Sequence, residues 1–129
     1  IRAWSWSRGL GDVYKRQLLN SDNQAQNLIE EADLIVNTTP VGMKTAKNET
    51  NVLPYGEDFW RSLNSKTTIY DLIYNPAPTP LLQLGNKKGC MTIDGLEMLI
   101  AQGIRSLSFW TDGLEVPFHI MNDALKKFL

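Results

Sequence analysis

Two hydrophobic periods alternate along the chain, and their alternation sets out the expected elements. Ala25, Leu28 and Ile29 recur at helical spacing with Glu30 and Glu31 turned outward, so a short helix is expected through Ala32, capped by Ser21 or Asp22. Asp33 to Asn37 (DLIVN) is a short apolar, β-branched run, the pattern of a strand covered on both faces in a parallel sheet. A stretch rich in Gly, Pro and Asn from Thr38 to Pro54 follows, then a brief helix over Glu57 to Leu63. Thr67 to Ile73 (TTIYDLI) reads as a second strand, closed by Pro76, Pro78 and Pro80. Leu81, Leu82 and Leu84 predict a helix from about Thr79 that stops at Gly85 or Gly89, and Cys90 to Ile93 makes a third, short strand. Gly95 to Phe109 is the strongest helical pattern. Val116 to Leu129 is the next, with Phe118, Met121, Leu125 and Phe128 on one stripe. Strands alternating with helices predict an α/β fold with a parallel sheet and right-handed crossovers.

Residues 1–17 stand apart from this scheme. Ile1 to Gln17 (IRAWSWSRGLGDVYKRQ) carries Trp4 and Trp6 but no apolar set at a helical period, and it lacks the continuous apolar stretch of a secretory signal. Asp12 to Gln17 (DVYKRQ) resembles the translation of a transposon end used to fragment DNA for sequencing. Residues 1–17 are therefore expected to be a non-native leader, leaving 129 − 17 = 112 residues, from Leu18 to Leu129, for fold reasoning.

Composition narrows the partners. A length of 129 residues is that of one domain. Lys plus Arg is 13 and Asp plus Glu is 14, a net charge of −1, so there is no basic excess for nucleic acid or an anionic membrane. Hydrophobic residues at 43% and charged residues at 21% fit a globular chain with a core, and no apolar run approaches the roughly 18 residues of a membrane span. A lone cysteine, Cys90, excludes an internal disulfide and a multi-cysteine zinc site and fits a reducing compartment, so a cytoplasmic location is expected.

Three motifs then appear in order: NTTPVGM from Asn37 to Met43, DLIYNPAPTPLL from Asp71 to Leu82, and GLEMLIAQG from Gly95 to Gly103. With the closing FWTDGLEVPFHIMNDAL from Phe109 to Leu125, they resemble shikimate dehydrogenase, the NADP-dependent family that reduces 3-dehydroshikimate on the way to the aromatic amino acids. The resemblance covers roughly Ala32 to Leu129. It implies the second half of a Rossmann-like doubly wound parallel sheet, with about three strands, followed by C-terminal helices, and it places residues 18–129 in the NADP-binding domain.

On residues alone, Asn37, Thr38 and Thr39 lie where a strand ends, the edge at which open α/β sheets bind ligands, although a turn that contacts nothing has the same pattern. The resemblance makes them cofactor-binding, along the nicotinamide half of NADP. It likewise makes the Leu72 backbone a nicotinamide contact and Tyr74 a substrate-binding hydroxyl, where the alternative is a half-buried core aromatic beside a turn-forming Asp71. In the helix from Gly95, Leu96, Ile100, Ile104 and Leu107 form the stripe expected to hold it on the sheet. Gly95, Met98 and Gln102 fall on a separate face. The resemblance assigns Gly95 and Met98 to the cofactor and Gln102 to the substrate; Met98 as a core filler is the even alternative. His119 has no partner at catalytic or ligand spacing and is given no role.

Equally informative is what residues 18–129 lack. No G-x-G-x-x-G-like run occurs there, and no Arg or Lys stands where a 2′-phosphate would need it. The Lys and Asp pair that the family uses for proton transfer belongs to an N-terminal substrate domain, so no catalytic residue is carried over. The isolated chain is expected to be inactive. A non-catalytic nucleotide-binding or interaction module and a quinate-using relative are the alternative readings, and the residues do not choose between NADP and NAD or fix an oligomeric state.

Overall fold

A computed structural model describes residues 22–44 and 52–127. The cap at Ser21, the leader over residues 1–17 and Phe128 lie outside the described residues. In chain order the elements are α1 (Asp22–Glu31), β1 (Leu34–Asn37), a 3-10 turn (Glu57–Trp60), β2 (Thr68–Asp71), α2 (Pro80–Lys87), β3 (Met91–Ile93), α3 (Leu96–Trp110) and α4 (Phe118–Lys126). No described helix is long and apolar enough to cross a membrane.

The three strands form one parallel sheet in the order β1-β2-β3. Leu34, Thr68 and Met91 share a register position, as do Ile35, Ile69 and Thr92, and Val36, Tyr70 and Ile93. Residues in register point to the same side of a sheet, so each triplet belongs to one face. The face carrying Ile35 and Ile69 is the packed one. Ile69 is fully buried there in a cluster with Ile29 of α1, Trp60 of the 3-10 turn, Leu63 just after it, Leu81 and Leu82 of α2, and Cys90 just before β3. Burial pushes the Cys90 thiol up from its ordinary value, with the Lys88 charge pulling the other way, and the thiol donates to the Asn64 carbonyl.

Local chemistry explains how α1, the 3-10 turn and α2 dock on this face. The Gln26 side chain, nearly buried on α1, donates to the carbonyls of Asp58 (3.0 Å) and Phe59 (3.1 Å) and accepts from the Ser62 amide (3.1 Å). One amide therefore ties α1 to the loose ends of a turn too short to satisfy its own backbone. Trp60 donates its indole N–H to the Pro54 carbonyl at 2.7 Å, so its ring is buried without an orphaned donor. Thr79 caps α2 by accepting from the Leu82 amide, with Pro80 at the first helical position.

Six expectations change against this structure. β1 is not covered on both faces: α1, the 3-10 turn and α2 all use the Ile69 face, and Leu34, Val36, Met91 and Ile93 on the other are 41–67% exposed. Leu28, expected on the buried stripe of α1, is exposed for the same reason, being turned toward the uncovered edge of β1. Gly85 does not stop α2. It sits inside the helix, where a Cβ would lie 2.6 Å from Ile69 Cδ1 and 3.0 Å from Thr92 Cγ2, so the glycine lets α2 approach the sheet; the helix ends two residues before Gly89, whose φ of 80° favours glycine. Finally, α3 packs against α4 and is not laid along the sheet, so of its expected core stripe only Ile100 is buried, with Leu96, Ile104 and Leu107 half-exposed. The helix over Glu57 to Leu63 shortens to the 3-10 turn, and β2 ends at Asp71, not Ile73.

Gln26→Ala should lower the unfolding free energy of the chain by about 1–3 kcal/mol, because the Ser62 amide and two carbonyls lose a buried partner together. Urea unfolding followed by circular dichroism checks this, and a shift no larger than that of exposed Asn27→Ala would contradict the clamp.

Candidate functional site

At the carboxyl end of the sheet, Asn37 closes β1 and Asp71 closes β2, and the two are register partners. Both are buried, Asp71 completely. Asn37 Nδ2 donates to Asp71 Oδ1 at 3.0 Å, and the Ile73 amide donates to the same oxygen at 3.1 Å. Thr79 Oγ1 donates to Asp71 Oδ2 at 2.6 Å. Burying a carboxyl group is costly unless its oxygens are bonded, and here three donors from three segments meet the requirement. Outward from this hub, Asn37 Oδ1 accepts from the Thr39 amide (3.0 Å) and hydroxyl (2.8 Å), which turns the chain sharply after β1.

The resulting rim joins two loops. Residues 38–44 leave β1 and residues 72–79 leave β2, and the Lys44 amide donates to the Asn75 carbonyl at 3.0 Å, tying their far ends together. Gly42, at φ 98°, makes the turn in the first loop. Thr38 is exposed on the rim, and Thr39, Leu72 and Tyr74 are half-buried. Beside Thr38 and Thr39 a groove of about 280 Å³ runs between α1 and the loop before the 3-10 turn, lined by Leu28, Val36 and Tyr55. It reaches only the β1 side of the rim and opens at the free edge of the sheet; Leu72 and Tyr74 lie outside it. The rim, whose geometry is fixed by bonds, is therefore the better guide to a site than the groove.

The start of α3 completes the arrangement. The Gly95 amide donates to the Ile73 carbonyl at 3.2 Å, and a Cβ at Gly95 would overlap the Leu72 carbonyl oxygen. That carbonyl accepts no hydrogen bond from any described residue. Any side chain at position 95 would overlap that carbonyl, so glycine is what lets α3 start against it.

Each residue singled out from the sequence can now be placed. Asn37, Thr38, Thr39, Leu72, Tyr74 and Gly95 gather on the rim. The Asn37 side chain is committed to Asp71 and Thr39, so what it contributes to the rim is position. Met98 (38% exposed) and Gln102 share the open side of α3, which removes the core-filler reading of Met98; Gly95 is buried and does not share that side. Asp71 and Thr79 were not expected as site-forming residues. The signal for Thr79 was present, since a threonine before proline at a helix start reads as a cap, but its second bond to Asp71 spans eight residues and has no local signature.

Comparison with known proteins agrees with this architecture. The sequence profile described as Shikimate 5'-dehydrogenase C-terminal domain matches residues 95–126. Over 112 residues the chain is 79% identical to shikimate dehydrogenase (NADP(+)) of Prochlorococcus marinus strain MIT 9312, covering 87% of this chain and 39% of the relative. It is a C-terminal segment of the shikimate dehydrogenase family. Among solved structures, a shikimate dehydrogenase in complex with NADP+ superposes with a TM-score of 0.64 at 36% identity, over 74% of this chain and 31% of that one. A quinate dehydrogenase from Corynebacterium glutamicum in complex with NAD does so at 0.64 and 26% identity, over 82% and 35%. The three parallel strands thus belong to the Rossmann-like α/β sheet of shikimate dehydrogenases. The chain spans about 39% of the length of the curated relative it matches.

Gly95→Ala should destabilise the chain by 1–3 kcal/mol or more, since its Cβ meets backbone at Leu72 and cannot be relieved by a side-chain rotation. Thermal unfolding checks this. A variant as stable as wild type would mean that α3 does not start against Leu72.

Proposed function

We propose that the chain is part of an NADP-dependent shikimate dehydrogenase, an oxidoreductase that interconverts 3-dehydroshikimate and shikimate by hydride transfer in the biosynthesis of chorismate and the aromatic amino acids. The observation that carries the reading is the 79% identity to a shikimate dehydrogenase (NADP(+)) over most of the chain. The rim geometry supports it: open α/β sheets bind ligands outside the carboxyl ends of their strands, and that is where the bonded loops converge. In this reading residues 18–129 are the C-terminal part of the NADP-binding domain, residues 1–17 are no part of it, and the enzyme works in the cytoplasm on a small-molecule substrate.

The cofactor supplies the hydride. The residues present suit its nicotinamide half. The Leu72 backbone would meet the carboxamide through its carbonyl, which has no partner among the described residues, while the uncharged Thr38 and Thr39 would border the ring. Asn37 holds Thr39 in place, and Met98, exposed at the first turn of α3, would offer an apolar surface to the ring. Tyr74 donates its hydroxyl to the substrate, and Gln102, exposed on α3, offers a donor and an acceptor suited to a polyhydroxy acid. The phosphate-binding glycines and the Lys and Asp pair for proton transfer at the carbonyl are not in residues 18–129, so the chain by itself holds the cofactor's reactive end and moves no proton.

A second reading of substrate is favoured by one observation, the likeness to a quinate dehydrogenase in complex with NAD. Quinate differs from shikimate by ring hydration, and Tyr74 and Gln102 offer groups that suit both acids.

The chain alone, mixed with NADP and shikimate, should give no turnover above buffer when cofactor absorbance is followed. Residues 18–129 joined to the N-terminal part of the Prochlorococcus marinus relative, in place of its matching segment, should restore shikimate-dependent NADP reduction. A folded but inactive fusion would sink the dehydrogenase reading, and a higher kcat/KM for quinate with NAD would replace shikimate by the second substrate.

A further inference from the structure

Asp71 is a fully buried acidic side chain that pairs with no cation among the described residues, and the hydride-transfer chemistry gives it no task. Its place is nonetheless singular among the described residues. Every segment that presents a candidate ligand group is bonded to it directly or through one intermediary. Asn37 Nδ2 reaches it from β1 at 3.0 Å, and Asn37 Oδ1 in turn holds both the amide and the hydroxyl of Thr39. The Ile73 amide reaches it at 3.1 Å from between Leu72 and Tyr74. Thr79 Oγ1 reaches it at 2.6 Å from the first turn of α2, and the same hydroxyl accepts from the Leu82 amide at 3.3 Å.

None of these bonds belongs to the strand ladder. The ladder aligns the strands but ends at Asn37 and Asp71; one further backbone bond, from the Leu72 amide to the Asn37 carbonyl at 3.1 Å, carries it a step on, and these side-chain bonds hold both loops where they leave. Within that arrangement the Thr39–Asn37–Asp71–Thr79 relay runs across the sheet edge under the rim. It fixes Thr39, and with it the loop that carries Thr38, against Leu72 and Tyr74; Thr38, Thr39 and Leu72 are assigned to the cofactor and Tyr74 to the substrate. Hydride transfer depends on the distance between donor and acceptor carbons, and an error of about 1 Å in such placement can cost roughly 100-fold.

We propose that Asp71 is the positioning residue of this site: its carboxylate, held by Asn37, Ile73 and Thr79, sets the two ligand-bearing loops at the separation that hydride transfer needs. The inference rests on the dehydrogenase reading above. Asp71 touches neither substrate nor cofactor and acts only through the residues it holds.

The test uses the fusion described above, in which the whole enzyme is present. Thr79→Val removes the 2.6 Å bond without touching the rim, and Asp71→Asn keeps the acceptor for Asn37 and Ile73 while altering the oxygen that faces Thr79. Both should lower kcat by about 10- to 100-fold with KM for shikimate changed far less, and should raise the isotope effect with cofactor deuterated at the transferred position, because hydride transfer becomes slower relative to release. Thr79→Ser, which retains the hydroxyl, should recover most of the loss. Melting temperature is measured alongside. If Thr79→Val and Asp71→Asn lower the melting temperature but leave kcat and the isotope effect of the folded enzyme at wild-type values, Asp71 is a packing residue and the proposal is overturned. An unsubstituted fusion that folds yet shows no turnover would instead remove the dehydrogenase reading, and the inference with it.

Discussion

A carboxylate with no access to water imposes its needs on whatever surrounds it, and at the end of β2 that constraint organises the chain. Asp71 must be supplied with donors or its burial would cost several kcal/mol. The supply comes from Asn37 on the neighbouring strand, from the backbone just past β2 and from the cap of α2. Satisfying one group therefore fixes the exit of two loops and the start of a helix together. The hydrophobic cluster on the Ile69 face gives the sheet its cohesion but is indifferent to direction; the polar network gives the ligand edge its shape.

The two faces of the sheet show how unevenly that cohesion is spread. On one, α1, the 3-10 turn and α2 bury Ile69, Leu81 and Trp60. On the other, Leu34 and Val36 of β1 and Met91 and Ile93 of β3 flank Thr68 and Tyr70 of β2, with no described element over them. A parallel sheet of this class is ordinarily covered on both sides. That open face and the free edge of β1 are consistent with a segment that spans 39% of its relative's length. They also make the segment prone to association when it is alone.

Much of this was legible from periodicity. Alternating short β-branched runs and helical stripes gave the order of elements and the parallel sheet, and the motifs at Asn37, Asp71 and Gly95 lay at the sheet edge where the structure gathers them. What escaped has a common physical origin: a residue pattern reports what a side chain tolerates, not which neighbour is present. DLIVN reads the same whether its second face is covered or bare. The apolar stripe of α3 marked a buried side without saying that α4, and not the sheet, lies against it. Gly85 and Gly89 were interchangeable as helix stops until Ile69 was seen behind one of them. Asp71 looked like a turn residue because the donors that define it come from 34 positions before and eight after.

The contact between Gly95 and the Leu72 carbonyl has a mechanical side. α3 begins at that point of near-touching backbone and runs 15 residues, about 22 Å, before it turns into α4. It is a lever with its fulcrum at the rim. A tilt of about 5° would swing the exposed Phe109 and Trp110 end by about 2 Å over that length while Leu72 scarcely moved. Large excursions at the far end are thereby geared down to fine adjustment where a ligand would sit, and a side chain at position 95 would wedge the pivot.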